Sequence, residues 1–202
     1  MEPLYQPTAN RLMRVVAMFS GSASSLQYLI ERDPNLGAKY QFAGAFTDKK
    51  NASGIELARS AKIPVEIHDY REYVSARSAK FSDMGVRDEY FREVADIVDQ
   101  WKPDIIMQSG FMLITTISFL SHFKYRVLNV HPADLSILDD LSRRKYTGLH
   151  VVERALADGA LETRSTVHIV TEGVDEGPII VRSEPLPVEP GTTATRHQEK
   201  MK

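Results

Sequence analysis

Short apolar runs alternate with segments of helical periodicity along most of the chain. Runs rich in Val, Ile and Phe are typical of buried strands, and apolar residues spaced three or four apart are typical of amphipathic helices. The pattern predicts strands at 14–19, 40–46, 65–68, 104–108, 127–130, 164–171 and 178–186. It predicts helices after the small-residue segment 20–27 and at 51–63, 86–101, 116–123 and 148–158, and a polar loop at 70–85.

This alternation sets the expected fold class. Strands separated by helices form right-handed βαβ units, so we expect an α/β fold with a mostly parallel twisted sheet flanked by helices. The last two strands have no helix between them, which predicts an antiparallel strand addition near the C-terminus. We expect residues 1–13 to form a flexible extension and residues 14–202 to form a single domain whose C-terminal helix is only begun.

Composition narrows the possible partners. The formal net charge of −2 over 202 residues argues against a broad polyanion-binding surface, so we expect no nucleic-acid partner. No apolar run is long enough to span a bilayer, so we expect no membrane partner either. The chain has no cysteine, which excludes disulfides, thiolate metal sites and a cysteine nucleophile. That composition fits a reducing compartment, and we expect a cytoplasmic protein.

A polar pair lies at the end of the predicted strand VLNV (127–130), which runs directly into His131. Asn129 and His131 are two residues apart, so their side chains share one face of the strand near its C-terminal end. Ligands of open α/β sheets bind at the carboxyl ends of strands. An imidazole titrates near neutrality and an amide N–H can hold a developing oxyanion, which together favour an acid–base site. A strand-end histidine bonded to a loop is the alternative.

Three other segments end predicted strands and offer candidate chemistry. SGSASSLQ, residues 20–27, is either an anion cradle at a helix N-terminus or a tight turn capped by serines. SGFMLITTISFL, residues 109–120, is either a ligand-binding loop or simple core packing. Asp175, in a glycine-flanked turn, is either a turn residue or a carboxylate that reaches His131 and raises its pKa.

The chain resembles the folate-dependent formyltransferases over roughly residues 14–190. Six segments in this order carry the resemblance: GFM (110–112), SFLSHF (118–123), LNVHP (128–132), TGLH (147–150), STVHIVT (165–171) and VDEGPII (174–180). The resemblance implies a Rossmann-type formyltransferase fold, 10-formyltetrahydrofolate as co-substrate and no metal. It implies transfer of a formyl group to the amine of phosphoribosylglycinamide in purine biosynthesis, by a monomer or homodimer acting on small molecules.

The family uses an Asn-x-His pair and a distant Asp as its catalytic residues. The matching residues here are Asn129, His131 and Asp175. The resemblance implies that the protonated imidazole and the carboxamide stabilise the tetrahedral oxyanion, while Asp175 supports the imidazole.

The resemblance also implies a set of binding residues. Those expected to contact the folate are Arg87, Met112, Leu113, Ile114, Thr115, Val170 and Thr171. Those expected to hold the phosphate of the acceptor are Gly21, Ala23, Ser24 and Ser25. Glu199 is expected on the amine side of the acceptor. His168 also aligns with a family histidine, and a structural role in mid-strand is its alternative.

Four departures from the family pattern keep alternatives open. Ala23 and Ser25 replace the usual Gly and Asn, Leu113 replaces a frequent Arg, the loop 132–147 is longer and more charged than usual, and the last helix is only begun. Arg143, Arg144 and Lys145 in that loop either contact a phosphate or are simply solvated. The alternatives are a different amine acceptor, hydrolysis of formyltetrahydrofolate, or a binding module without activity. His131-Pro132 argues against hydrolysis, because hydrolytic relatives usually have a second His there.

Overall fold

A computed structural model describes residues 5–6 and 11–201 of the chain. The predicted flexible extension, residues 1–13, lies outside the described residues except at positions 5–6 and 11–13. The fold separates into two compact units, one up to Val127 and one from Leu128 onward.

The first unit alternates strands with helices, as the apolar pattern predicts. Its strands are β1 (Met13–Phe19), β2 (Tyr40–Thr47), β3 (Val65–Ile67) and β4 (Ile105–Gln108). Its helices are α1 (Ser24–Arg32), α2 (Gly54–Ser60), α3 (Tyr70–Ala76), α4 (Met84–Asp99) and α5 (Ile117–His122). The strand order is β3-β2-β1-β4 and each neighbouring pair is parallel, so the segments that follow β1, β2 and β4 emerge at one edge.

Strand β1 lies at the centre of the first unit. Its residues from Val15 to Phe19 are all buried, as expected for a parallel strand covered by helices on both faces. Leu26 of α1 and Ile55 and Ala58 of α2 belong to one hydrophobic cluster with Ala17 and Phe19. This packing fixes the short turn between β1 and α1.

The predicted loop at 70–85 is wrong over much of its length, because α3 occupies Tyr70–Ala76 and α4 already begins at Met84. The side chain of Asp69 caps α3 by accepting a hydrogen bond from the Glu72 N–H. Tyr70, Tyr73 and Val74 are buried at helical spacing. Polar residues between these three hide the periodicity in the sequence.

The second unit contains β5 (Val127–His131), which opens at the boundary, followed by the remaining elements. These are α6 (Val151–Ala157), β6 (Glu162–Thr163), β7 (Thr166–Ile169), β8 (Ile179–Arg182), β9 (Leu186–Pro187) and α7 (Ala194–Lys200). Strand β7 runs antiparallel to both β5 and β8, and the short strands β6 and β9 form a separate antiparallel pair. The sequence pattern predicts β7 and β8 but not the pair β6–β9.

The described residues contain a mostly parallel seven-stranded sheet flanked by helices, with antiparallel strands towards the C-terminal end. The predicted α/β fold class and the antiparallel addition are confirmed. Within residues 5–6 and 11–201, every helix is too short or too polar to cross a bilayer.

Candidate active site

Strand β5 presents Asn129 and His131 to a neighbouring strand in a defined register. In the antiparallel pairing with β7, Asn129 lies opposite His168 and His131 lies opposite Thr166. Residues directly opposite one another on a sheet have side chains in contact range. The Nδ2 of Asn129 is accordingly 3.2 Å from the Nε2 of His168. The polar pair predicted from the sequence thus gains a third polar side chain from β7.

Asp175 reaches this group from the turn between β7 and β8. Its Oδ2 is 3.3 Å from the Nδ1 of His131, and its Oδ1 is 3.3 Å from the Nε2 of His168. The Asn129 amide also donates to Oδ1, over 3.5 Å. The side chain of Asp175 is only 9% exposed and that of His131 only 5%. One buried carboxylate therefore bridges two imidazoles, and the three residues predicted as a catalytic group are neighbours.

The turn that carries Asp175 has a constrained backbone. Asp175 has a φ of +57°, in the left-handed region that non-glycine residues rarely adopt. A Cβ added at Gly177 would come within 1.8 Å of the carbonyl oxygen of Ile169, so only glycine fits there without moving the backbone. The same turn thus holds the carboxylate inward and packs its own backbone against the end of β7.

Both ring nitrogens of His131 have partners within the protein. Nε2 is 2.8 Å from the carbonyl oxygen of Tyr146, which can only accept, so Nε2 carries a hydrogen. Nδ1 faces Asp175, and that contact becomes a hydrogen-bonded ion pair when the ring is protonated. The imidazole can therefore present a proton to a ligand only by exchanging one of these partners.

Burial and charge act in opposite directions on these groups. Burial lowers the pKa of His131, and the Asp175 carboxylate opposes this effect without offsetting it. Asp175 thus raises the pKa of His131 as expected, and burial outweighs this contribution. Burial alone would raise the pKa of Asp175, but the hydrogen bond from His168, the charge of His131 and the Gly148 N–H together lower it.

His168 belongs to this cluster, although a structural role was its alternative in the sequence. Its Nδ1 is 2.9 Å from the carbonyl oxygen of Ile169 and therefore carries a hydrogen, which leaves Nε2 towards Asn129 and Asp175. The alternation of side chains along β7 places His168 on the same face as Thr166, and that period would have linked it to the β5 pair.

The end of the 132–147 loop also contacts the cluster, which the sequence did not reveal. Besides the Tyr146 carbonyl, the backbone N–H of Gly148 donates to Asp175 Oδ2 over 2.8 Å. Arg144 donates through Nη1 to the backbone carbonyl of Asp175. Arg143 and Lys145 instead form ion pairs with Asp139 and Asp158.

The loop between β4 and α5 in the first unit carries the residues expected to contact the folate. Met112 is 56% exposed and Ile114 is 49% exposed, whereas Leu113 and Thr115 are buried. Two hydrogen bonds tether the loop: Ser20 Oγ accepts from the Met112 N–H at 2.9 Å, and Gln108 donates to Thr115 Oγ1 at 2.8 Å. The backbone of this loop is therefore held in place, while its side chains are alternately buried and exposed.

Ser20 and Asp48 form a second buried pair near this loop, and neither was singled out as a site residue. The Ser20 hydroxyl donates to Asp48 Oδ1 over 2.5 Å while accepting from Met112, so it connects the ends of β1 and β2 to the loop. Burial raises the pKa of Asp48 despite the hydrogen bond from Ser20. Both residues follow strand ends in the sequence, which is the signal that could have found them.

Arg87, in the first turn of α4, is buried rather than solvated. Its guanidinium donates to the Phe81 carbonyl oxygen over 3.0 Å and lies 3.4 Å from both the Tyr70 hydroxyl and the Met84 sulfur. These partners are neutral, so its positive charge has no carboxylate among these contacts.

The segment expected to hold a phosphate lies at the start of α1. Ala23 has a φ of +54° and occupies the N-cap position, where its side chain makes no capping hydrogen bond. Gly21 contacts the start of α2, since its carbonyl oxygen accepts from the Gly54 N–H. Ser24 and Ser25 form the first turn of α1 and are half-buried. The Leu26 N–H of the same turn donates to Ser109 Oγ over 3.3 Å. Backbone N–H groups at a helix N-terminus favour an anion.

The remaining predicted contacts lie in the second unit. Val170 and Thr171 directly follow β7 and are half-buried. Glu199 is exposed on α7, a helix that is anchored by the buried His197, whose Nε2 is 2.7 Å from Thr163 Oγ1. Across the described ranges, no group of three or more His, Asp or Glu side chains is arranged to hold a metal ion.

Comparison with known proteins gives consistent matches across the chain. The family model described as "Formyl transferase" matches residues 13–202. "Phosphoribosylglycinamide formyltransferase" of Escherichia coli (strain K12) is 33% identical over 172 residues, which cover 85% of this chain and 72% of that protein. The protein of the same name from Mycobacterium tuberculosis (strain CDC 1551 / Oshkosh) is 31% identical over 201 residues, covering 100% of this chain and 83% of the relative.

A solved structure and a much longer protein also match this chain. Glycinamide ribonucleotide transformylase 1 from Symbiobacterium toebii matches with a TM-score of 0.77 and 27% identity, over 94% of this chain and 80% of that chain. The "Trifunctional purine biosynthetic protein adenosine-3" of Drosophila pseudoobscura pseudoobscura is 32% identical over 180 residues, and the match spans 88% of this chain but only 12% of that protein. Since the family model spans nearly the whole sequence, this chain belongs to the formyl transferase family.

Proposed function

We propose that this enzyme transfers the formyl group of 10-formyltetrahydrofolate to the amine of phosphoribosylglycinamide, a step of purine biosynthesis. The bacterial relatives named phosphoribosylglycinamide formyltransferase, at 31% and 33% identity over most of the chain, support this substrate assignment. We further propose that it works in the cytoplasm on small molecules, as a monomer or homodimer, without a metal, a nucleic acid or a membrane.

One observation carries the proposal: the buried Asp175 carboxylate lies 3.3 Å from the His131 imidazole, with the Asn129 amide on the same carboxylate. An imidazole supported by a carboxylate can donate a proton at neutral pH, and a neighbouring amide can donate to an oxyanion. A protein that only binds folate has no need for this combination.

The chemistry proceeds by addition and elimination. The neutral acceptor amine attacks the formyl carbon, and the carbonyl electron pair moves onto oxygen to give a tetrahedral oxyanion. Protonated His131 and the Asn129 amide stabilise that oxyanion. His131 donates its proton to N10 of the folate and accepts the proton that the attacking nitrogen loses. Collapse breaks the bond from carbon to N10, which leaves the formylated amine and tetrahydrofolate.

The partners of His131 indicate which nitrogen faces the substrate. Asp175 occupies Nδ1, and this contact supports the charged ring, so it is retained. Nε2 is bonded to the Tyr146 carbonyl, a neutral acceptor that a ligand oxygen can replace. We therefore assign the proton transfer to Nε2, after it exchanges Tyr146 for the formyl oxygen.

The donor is proposed to bind along the anchored 109–115 loop. The exposed Met112 and Ile114 offer apolar surface, and the tethered backbone offers hydrogen-bonding groups for a pterin ring. The phosphate of the acceptor is proposed to bind the start of α1 at Gly21, Ala23, Ser24 and Ser25, with Glu199 on the amine side.

A different amine acceptor is the second candidate, because Ala23 supplies no polar side chain at the expected phosphate site. Turnover assays separate the possibilities. The protein is incubated with 10-formyltetrahydrofolate alone, with phosphoribosylglycinamide, and with glycinamide lacking the phosphoribosyl group, while tetrahydrofolate release is followed. Release only with phosphoribosylglycinamide is the expected result. Equal release of tetrahydrofolate without any amine would mean hydrolysis. If tetrahydrofolate is not released with phosphoribosylglycinamide, the proposed acceptor is contradicted.

A further inference from the structure

The final residues of the 132–147 loop, together with Gly148, contact both His131 and Asp175. The Tyr146 carbonyl accepts from His131, the Gly148 N–H donates to the Asp175 carboxylate, and the Arg144 guanidinium donates to the Asp175 backbone carbonyl. The Tyr146 ring packs in a hydrophobic cluster with Ala133 and Val151, and its hydroxyl donates to Asp158. This short segment therefore connects a packed core to both members of the His131–Asp175 pair.

We propose that Arg144 is a positioning residue that holds the Asp175 turn so that its carboxylate stays on His131. This proposal rests on the proposed function, because it assigns Arg144 a part in the same site. The residue lies in the segment by which this chain departs from the usual family pattern.

The backbone of Asp175 explains why an external contact is needed there. Aspartate tolerates a φ of +57° better than most residues, but the conformation still carries a cost that contacts with the surrounding structure offset. The carboxylate oxygens are already committed to His131, His168 and the Gly148 N–H, so they cannot stabilise the backbone of their own residue. Arg144 supplies a charged donor to the one strong backbone acceptor of that residue.

Arg143 provides a matched control beside it. Its side chain is 71% exposed and bonds to Asp139, four residues earlier in the same loop. Removing either arginine deletes one positive charge from the loop. Only Arg144 contacts the Asp175 turn, so a difference between the two variants reports the contact and not the charge of the loop.

The ionisation of His131 reports whether Asp175 remains in place. The charges of Asp175, His168 and Arg154 affect the pKa of this imidazole. Arg144 is a further charged group, bonded to the backbone carbonyl of Asp175. Asp175 favours the protonated ring, so a displaced carboxylate moves the titration of His131 to lower pH. Loss of the Arg144 charge alone would move it to higher pH, because a like charge is removed. The sign of the shift therefore separates positioning from simple electrostatics.

The test is an NMR pH titration of the His131 ring in the whole ligand-free protein, for wild type, Arg144→Met, Arg144→Lys and Arg143→Met. Signals are assigned by comparison with a His131→Gln variant. We expect the His131 midpoint to fall in Arg144→Met, to fall less in Arg144→Lys, and to stay at the wild-type value in Arg143→Met. A midpoint in Arg144→Met at or above wild type overturns the proposal. Should that variant not fold, a midpoint in Arg144→Lys at or above wild type overturns it.

A kinetic measurement accompanies the titration. Misplacement of a catalytic group costs up to about 10²-fold, so kcat of Arg144→Met is expected to fall about 10- to 100-fold while KM for each substrate changes little. An unchanged kcat in a folded Arg144→Met protein contradicts the positioning role. Absence of formyl transfer in the wild-type protein would contradict the proposed function. The titration needs no substrate, so it would still test the contact between Arg144 and the Asp175 turn.

Discussion

The two carboxylate oxygens of Asp175 contact different side chains. One oxygen faces His131 and the other faces His168 and the Asn129 amide. Because the lowered pKa keeps this carboxylate ionised at neutral pH, its charge favours the protonated form of His131. Burial acts in the opposite direction and lowers the pKa of His131.

Replacing Asp175 by Asn tests this dependence. The amide keeps the shape of the side chain but removes the negative charge that supports protonated His131. Because general acid catalysis typically contributes about 10²–10⁴-fold, kcat is expected to fall by at least about 10²-fold with little change in KM for the folate. Steady-state kinetics measures both. The matched control is Glu176→Gln, an exposed neighbour in the same turn, which is expected to keep the wild-type rate.

The buried Asp48 leads to a prediction about pH and stability. Its pKa in the folded state is raised by burial above that of the unfolded chain, so the folded state holds the proton more tightly. Stability from this group is therefore present at low pH and is lost as pH rises through the folded pKa.

Asp48→Asn has no carboxyl group to ionise, so the variant does not lose this stability as the pH rises. Its amide oxygen can still accept the hydrogen bond from Ser20. The melting temperature at pH 7 is expected to rise above wild type, and the difference is expected to shrink as the pH is lowered towards 4. Thermal unfolding followed by circular dichroism across this range measures it. A lower melting temperature for the variant at pH 7 would show that the ionised carboxylate stabilises the fold.

Local rules predict part of this cluster, and the remainder depends on tertiary structure. The period of two along a strand places Asn129 and His131 on one face without any knowledge of the fold. Contact with Asp175, 44 residues further along the chain from His131, depends on the register between β5 and β7. The bonds to Tyr146 and Gly148 involve backbone groups, which side-chain identity does not reveal.

At the level of elements, the turn between β7 and β8 sets the position of Asp175. Gly177 allows the turn to approach the Ile169 carbonyl, and that approach aligns the turn with the end of β7. Turn glycines are visible in the sequence, but which of them faces a backbone obstacle is a property of the packed structure. The same limit explains α3, whose buried Tyr70, Tyr73 and Val74 are separated by polar residues.

Gly177→Ala is expected to open this turn, because a Cβ there meets backbone that cannot rotate away. The free energy of unfolding is expected to fall by about 2 kcal/mol, the usual range for overpacking. Gly173→Ala is a control in the same turn. Its Cβ meets the side chain of Glu176, which can move into solvent, so a smaller loss is expected. Chemical denaturation of both variants measures the difference, and equal losses would count against the backbone contact.

For the whole molecule, fold class and family follow from patterns spread along the chain. Alternating strands and helices predict the parallel sheet, and ordered short motifs predict the formyltransferase resemblance that the family model bears out. The 132–147 loop is the feature that these patterns describe least well. Its antiparallel bridge between Leu138 and Arg144 and its bonds to the Asp175 turn arise from tertiary contacts of one particular sequence.

The central claim is that a formyl carbon moves intact from the folate to the amine of the acceptor. The most direct measurement supplies 10-formyltetrahydrofolate labelled with ¹³C at the formyl carbon, together with phosphoribosylglycinamide, and follows the products by mass spectrometry and ¹³C NMR. The account predicts that the label appears as a formamide carbon on phosphoribosylglycinamide, in step with the tetrahydrofolate released, and that His131→Ala abolishes its appearance. Label recovered as free formate, or an undiminished rate in His131→Ala, would contradict it.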